Sequence, residues 1–326
     1  MRYRSSLVRA VVGAAISVAA IWLVLRSVDV GRAVDVLRTA DRGWIGLMAG
    51  FILIDLAIRG LRWQRLVAPI GHVRYPAMLA YLLVGYLANN VLPARIGELV
   101  RSHYLGDREG ISRTTTLGTV VVERVVDFVV VVAIASAAII VLSVRGVVAS
   151  AVLVGIAVAG LLAAAVAIGI AAHRLPGAER ITAAAERWPR VRDLAGKLRG
   201  GLAVAGRPRT LVEALLLSVI AWGATVLSFA AAGQAIGIQL TIGQASLLAA
   251  GVALATAIPA GPANLGTFEL AAVQIGKAVG VEDHTAFALA LLVHAGILVI
   301  TSAGGLVALG RLGWRRDDQA GPIRRG

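Results

Sequence analysis

The sequence predicts an all-α polytopic membrane protein of about six full spans and two re-entrant or broken helical hairpins. The hairpins are expected to oppose each other, as in an inverted pseudo-repeat. Three observations point there. Of the 326 residues, 58% are hydrophobic, with a mean hydropathy of +0.83. Apolar runs of membrane-crossing length alternate with short basic loops, and two of these runs are broken by proline beside charged residues. A soluble domain of this length does not carry so many long apolar runs. Cysteine is absent, which excludes disulfides, thiolate metal sites and thiol nucleophiles. The five histidines and 18 acids show no metal-ligand spacing, so neither metal nor cofactor is expected. The net charge of +14 is spread through loops rather than gathered in one aromatic-studded patch. Lipid headgroups, and not nucleic acid, are therefore the expected partner.

In chain order, residues 7–25 follow Arg2, Arg4 and Arg9 and are long enough to cross. The start resembles a signal peptide, but Arg26 ends the run without a small-residue cleavage site, so an uncleaved first span is expected. Residues 26–42 alternate Arg and Asp with Val and Leu, a spacing that suits an amphipathic surface helix. The second span, 44–66, holds Asp55 and Arg59 four residues apart and able to pair in a structural role. Arg62-Trp63 reads as an interfacial anchor. The run ending at Leu92 is marginal in length, breaks at Pro93 and resumes from Ile96 to Leu105, the mark of a broken or re-entrant helix. The helix predicted over 112–142 carries Glu123, Arg124 and Asp127 on one side, roughly 15 Å from its start. Only Arg145 interrupts before the span at 147–171.

From His173 to Arg209 the chain is rich in arginine and proline, and this basic linker belongs on the cytoplasmic side. It divides one integral domain into a first half, 1–172, and a second half, 210–310, followed by a basic tail, 311–326. The second half holds a span at 211–235, a loop without Lys or Arg at 237–243, and a marginal run at 241–258. That run breaks at Pro259-Ala-Gly-Pro-Ala-Asn-Leu-Gly-Thr-Phe-Glu269, restarts as helix, and is followed by a final span at 286–309. The charges place both termini on the cytoplasmic side and insert the two hairpins from opposite faces. The loop 26–42 then lies outside although it holds four arginines, against the positive-inside rule.

The two breaks read alike: Pro93-Ala-Arg-Ile-Gly-Glu98 and Pro262-Ala-Asn-Leu-Gly-Thr-Phe-Glu269. Paired interruptions in two halves mark a transporter's midplane site. A helix restarting inside the membrane aims free N–H groups at an anion, and Arg95, Arg101 and Arg124 add charge-assisted donors. Glu98, Glu123, Asp127 and Glu269 balance them or carry protons. Candidate substrate-binding residues are Asn89, Asn90, Pro93, Arg95, Gly97, Glu98 and Arg101 at the first break. Glu123, Arg124 and Asp127 join them, with Pro259, Gly261, Pro262, Asn264, Gly266 and Glu269 at the second. The rival reading of the charges is an ion-pair network stapling helices together. Asn89 and Asn90 equally suit a cap or a cross-helix bond, and His294, without an evident partner, suits packing.

These motifs, N-N-x-x-P-x-R-x-G-E-x-x-R, V-x-E-R-V-x-D and P-x-x-x-x-G-x-x-E, resemble the flippase-like membrane domain of bacterial lysylphosphatidylglycerol synthases, over nearly the whole chain. The resemblance implies a cytoplasmic-membrane protein that moves an anionic, aminoacylated or sugar-linked lipid between leaflets. It adds a separate enzyme making that lipid, and a homo-oligomer, as expected partners. The chain ends at Gly326 without the synthases' soluble aminoacyl-transferase domain, so lysine transfer is not expected. The second break is also less glycine-rich than the family pattern suggests. Two other functions fit the sequence: a glycosyl or phosphoryl transferase acting on a lipid-linked substrate, and a non-catalytic scaffold recruiting a partner through 173–209.

Overall fold

The computed structural model describes residues 2–92, 96–171, 201, 203–257 and 260–317, and among them every regular element is helical. Helix α1 (Arg2–Ser27) turns by 85° into the short α2 (Val30–Arg38), whose first turn is capped by the Asp29 carboxylate. Two arginines of this segment pair with their own neighbours, Arg32 with Asp29 and Arg38 with Asp35, both at 3.3 Å and exposed. Asp41 caps α3 (Arg42–Val67), and Pro76 sits in the first turn of α4 (Tyr75–Val91), where its missing N–H costs nothing. Helix α5 (Gly97–Glu109) stops at the left-handed Gly110, and Ser112 caps α6 (Arg113–Leu142). Helix α7 spans Val147–Ala171.

After a single 3₁₀ turn (Ala203–Gly206) comes α8 (Pro208–Ala235), beginning two residues inside the expected linker. A Thr241/Gln244 capping box starts α9 (Ile242–Ala255). A 3₁₀ turn (Pro262–Asn264) leads to α10 (Thr267–Ala278), and the last helix, α11 (Asp283–Asp317), runs past the expected span into the tail. Four described helices are long and apolar enough to cross a membrane, α3, α6, α8 and α11; the bent α1–α2 pair makes five if counted as one span.

Contacts between loops sort the helix ends. At one end, Gly71 packs on Ile111, Arg108 donates to the Leu312 carbonyl at 2.5 Å, and Gly201 abuts Thr115. At the other, the Asp41 N–H donates to the Ala235 carbonyl at 2.8 Å, Gly243 packs on Leu142, and Gln244 donates to the Val279 carbonyl at 3.0 Å. The pair α4–α5 therefore begins and ends at one end of the bundle, and α9–α10 at the opposite one.

Without water to expel, packing inside a membrane relies on close contact and small residues. Gly305 of α11 shows this: a Cβ there would meet the Leu87 side chain at 2.5 Å and the Leu83 carbonyl at 2.8 Å, so α4 and α11 touch backbone to backbone. The largest apolar cluster joins Ile52 and Leu56 of α3, Phe229 of α8, Leu248 of α9, Ala272 of α10 and Val293 of α11. A second joins Trp63, Met78, Tyr81, Leu105 and Leu312. Trp63 and Arg62 are both fully buried, so the interfacial-anchor reading is corrected. Arg62 faces inward because it lies seven residues after Asp55 and three after Arg59, on the same stripe of α3.

Candidate substrate site

Three helices each contribute one polar stripe at helical spacing: Asp55, Arg59 and Arg62 on α3; Glu123 and Asp127 on α6; Ser218, Trp222 and Thr225 on α8. They meet in one network. Arg62 is fully buried; it pairs with Asp127 through both guanidinium ends and donates to Glu123 Oε1 at 3.1 Å and to Ser218 Oγ at 2.7 Å. Arg59 Nε holds Asp55 at 2.8 Å and its Nη1 reaches Asp127 at 3.5 Å. The indole N–H of Trp222 donates to Asp127 at 3.1 Å, its ring lies under the Arg59 guanidinium at 4.9 Å, and Thr225 donates to Asp55 at 3.3 Å. From α5, Arg101 reaches Glu123 Oε2 at 3.1 Å and lies over the Trp63 ring at 4.6 Å. The hydrogen bond of that pair goes to the other oxygen, Arg101 Nη1 donating to Glu123 Oε1 at 3.4 Å, while Oε2 takes part by Coulomb attraction alone.

Arg124 differs from the other arginines. Its Nη2 touches Glu123 Oε1 at 2.5 Å, yet 46% of its side chain is exposed, against 10% or less for Arg59, Arg62 and Arg101. The exposure faces a cavity of about 940 Å³ lined by helices of both halves. Asp55, Arg59, Arg124 and Asp127 supply its charged wall, and Tyr86, Asn90, Glu98, Thr225 and Thr301 further polar groups. Most of the remaining lining is apolar, including Phe128, Val131, Phe229, Ala253 and Phe268. The space is amphipathic, with a guanidinium presented from one wall.

Both breaks are pinned by named bonds. At the first, the Asn89 side chain accepts the Gly97 N–H at 2.7 Å, capping α5 across the gap, while Asn90 donates to Thr301 and Ser302 of α11 at 2.9 and 3.0 Å. Gly97 is obligatory, since a Cβ there would sit 2.0 Å from the Gly85 carbonyl oxygen. At the second, Glu269 accepts the Gly266 N–H at 2.7 Å and meets His294 of α11 at 2.6 Å, so the histidine has a partner. The first break and the second are thus both tied to α11, at Thr301 and His294, two helical turns apart on one face.

Of the candidates, the structure brings Asn90, Glu98, Arg124 and Asp127 to the cavity wall. Arg101 and Glu123 stand behind that wall. Gly261, Pro262, Asn264, Gly266 and Glu269 form the second turn, which meets the cavity through Phe268. Pro93, Arg95 and Pro259 lie outside the described residues, as do 172–200 of the linker. The residues that sequence reasoning missed are Arg62, Ser218, Trp222 and Thr225. Their signal was the shared spacing of i, i+4, i+7 in 55-59-62 and 218-222-225, visible only when the two apolar spans are compared.

A family model described as Lysylphosphatidylglycerol synthase TM region matches residues 10–305. The chain belongs to this family. In the lysylphosphatidylglycerol synthase TM region as it occurs here, the match runs from within α1 to within α11 and covers most of both, so the network and both breaks fall within it. The chain is also 25% identical over 137 residues to Glycosyltransferase AglD of Haloferax volcanii, a match covering 42% of this chain and 22% of that protein. The chain thus spans about a fifth of the length of that curated relative.

Proposed function

We propose that this protein moves a lipid bearing an anionic headgroup between the leaflets of the cytoplasmic membrane, as a flippase or lipid-intermediate transporter. The observation that carries the reading is Arg124: a guanidinium half exposed to an amphipathic cavity, beside three arginines already neutralised by buried carboxylates. An exposed guanidinium next to apolar walls suits a phosphate with acyl or polyprenyl chains attached. An aminoacylated or sugar-linked headgroup fits the same place, with Glu98 and Asn90 as polar neighbours. The opposed hairpins α4–α5 and α9–α10 are read as re-entrant elements flanking the site, and movement between them supplies alternating access.

The test is leaflet translocation of a fluorescent anionic phospholipid by the purified protein in vesicles. Arg124→Ala is expected to lower the rate at least tenfold, with Arg124→Lys intermediate because a point charge replaces a planar fork. A wild-type rate in Arg124→Ala overturns the assignment. The likeness to a glycosyltransferase favours a second reading, an enzyme or enzyme-associated domain acting on a lipid-linked sugar. Transfer of sugar to a polyprenyl phosphate by the purified chain, without translocation, would replace the first reading with the second.

A further inference from the structure

We propose a proton-binding site at the second helix break: Glu269 of α10 and His294 of α11 hold one proton between them, and that proton locks the left-handed turn at Ala263 and Asn264. His294 Nδ1 lies 2.6 Å from Glu269 Oε1, and Nε2 lies 2.9 Å from the Ala263 carbonyl oxygen. A carbonyl only accepts, so Nε2 carries a hydrogen. With no hydrogen in the other contact, two lone pairs would face each other at 2.6 Å. That contact therefore contains a proton, whether it is written on the imidazole or on the carboxyl group. A neutral imidazole beside an ionised carboxylate has one N–H for two acceptors. Whichever tautomer it adopts, it loses either Glu269 or Ala263.

The surroundings make that loss consequential. Glu269 and His294 are 6% and 5% exposed, and the Phe268 ring stacks on the imidazole at 4.2 Å and 15°, which holds the ring in place between its two partners. Ala263 and Asn264 both have φ of 56°, a conformation that side chains with a Cβ adopt only when held there. The holds are His294 on the Ala263 carbonyl, Thr267 Oγ1 on the Asn264 carbonyl at 2.9 Å, and Ser17 Oγ accepting the Gly261 N–H at 3.0 Å. Releasing the first leaves a strained turn with its remaining anchors on either side.

Among the described residues, no other ionisable side chain is bonded to the pair. Helix α9 has no ionisable side chain and α4 has only tyrosines. On α3, Asp55, Arg59 and Arg62 are engaged in the network; on α8, Arg209 pairs with Glu213. Arg26 of α1 lies over Trp22, Lys277 of α10 pairs with Asp283, and His284 of α11 pairs with Glu282. None of these is bonded to Glu269 or His294. If the protein moves lipid as proposed above, the proton becomes the ion coupled to transport, and that coupling rests on the proposed function.

The chain has no cysteine, so Leu265→Cys places a single spin label on the exposed flank of the turn. Its electron paramagnetic resonance spectrum is recorded for the full chain in nanodiscs from about pH 5 to about pH 10. An immobilised component at low pH, lost as pH rises, is expected. Glu269→Gln keeps the acceptor for Gly266 and offers an N–H to Nδ1 without a titratable proton, so it should stay immobilised throughout. Glu269→Ala should be mobile throughout. A wild-type spectrum that ignores pH, or a Glu269→Gln spectrum that tracks wild type, overturns the lock. Translocation that ignores pH while the label responds overturns the coupling alone, and absence of any translocation leaves the lock standing while removing the lipid reading.

Discussion

At the scale of single residues, four arginines on three helices, three of them buried and Arg124 half exposed, do different work. Arg62 closes the network from inside, with no exposure and two carboxylates depending on it. Removing one partner of a buried ion pair leaves a bare charge, which costs about 3–5 kcal/mol. Arg62→Ala should therefore lower the thermal midpoint sharply in a detergent melt. Arg124→Ala, whose loss still leaves Glu123 facing Arg62 and Arg101, should shift stability by less than about 1 kcal/mol while abolishing lipid binding. Equal destabilisation by the two would erase this division of labour. Glu123, Arg124 and Asp127 were legible in the sequence because charge deep in a long apolar run is conspicuous. Arg62 was not, because it sits near a helix end beside a tryptophan, the same pattern that an interfacial anchor makes.

At the scale of elements, the two breaks share a construction: a helix stops, an obligatory or left-handed glycine begins the next, and a side chain accepts its N–H, from across the gap at Asn89 and from within α10 itself at Glu269. Gly97 and Gly266 hold the equivalent places, with Asn89 and Glu269 as the acceptors. Asn89→Ala should cost about 1 kcal/mol, the usual worth of an N-cap. Gly97→Ala should prevent α4 and α5 from closing at all, read as loss of a monodisperse peak in size-exclusion chromatography. A folded Gly97→Ala protein would contradict the close approach at Gly85. The repeat of proline, glycine and glutamate was readable in the one-dimensional pattern. The attachment of both breaks to α11 was not, since Thr301, Ser302 and His294 are ordinary residues of a long apolar helix. A double-mutant cycle on Asn90 and Thr301 should return a coupling of about 0.6 kcal/mol, the typical worth of a cross-helix bond in a membrane.

At the scale of the whole molecule, the bond from the Asp41 N–H to the Ala235 carbonyl places the α2–α3 loop beside the α8–α9 loop, at one end of the bundle. Single cysteines at Thr39 and Gln239 should then be labelled together from outside intact cells, and one at Arg207 only after permeabilisation. Labelling of Thr39 with Arg207 would invert the topology. The sequence set this loop against the positive-inside rule; the pairing of Arg32 and Arg38 with Asp29 and Asp35 shows how two of its four arginines are accommodated. The division into halves at the linker was plain in composition, but it is not the mechanical division. Helices α3 and α8, from opposite halves, are bolted together by Arg62–Ser218 and Asp55–Thr225, and Asp127–Trp222 bolts α6 to α8. The same bolts bear on biogenesis. During synthesis α3 enters the bilayer with Arg59 and Arg62 some sixty residues before Glu123 and Asp127 follow. Arg59 travels with Asp55 on its own helix, but Arg62 enters with no carboxylate partner there, and an unpaired arginine opposes insertion by up to about 2.5–3.5 kcal/mol, the cost at a helix centre. Until α6 arrives, α3 has to be sheltered by the insertion machinery, and the order of helix emergence becomes part of what the sequence encodes.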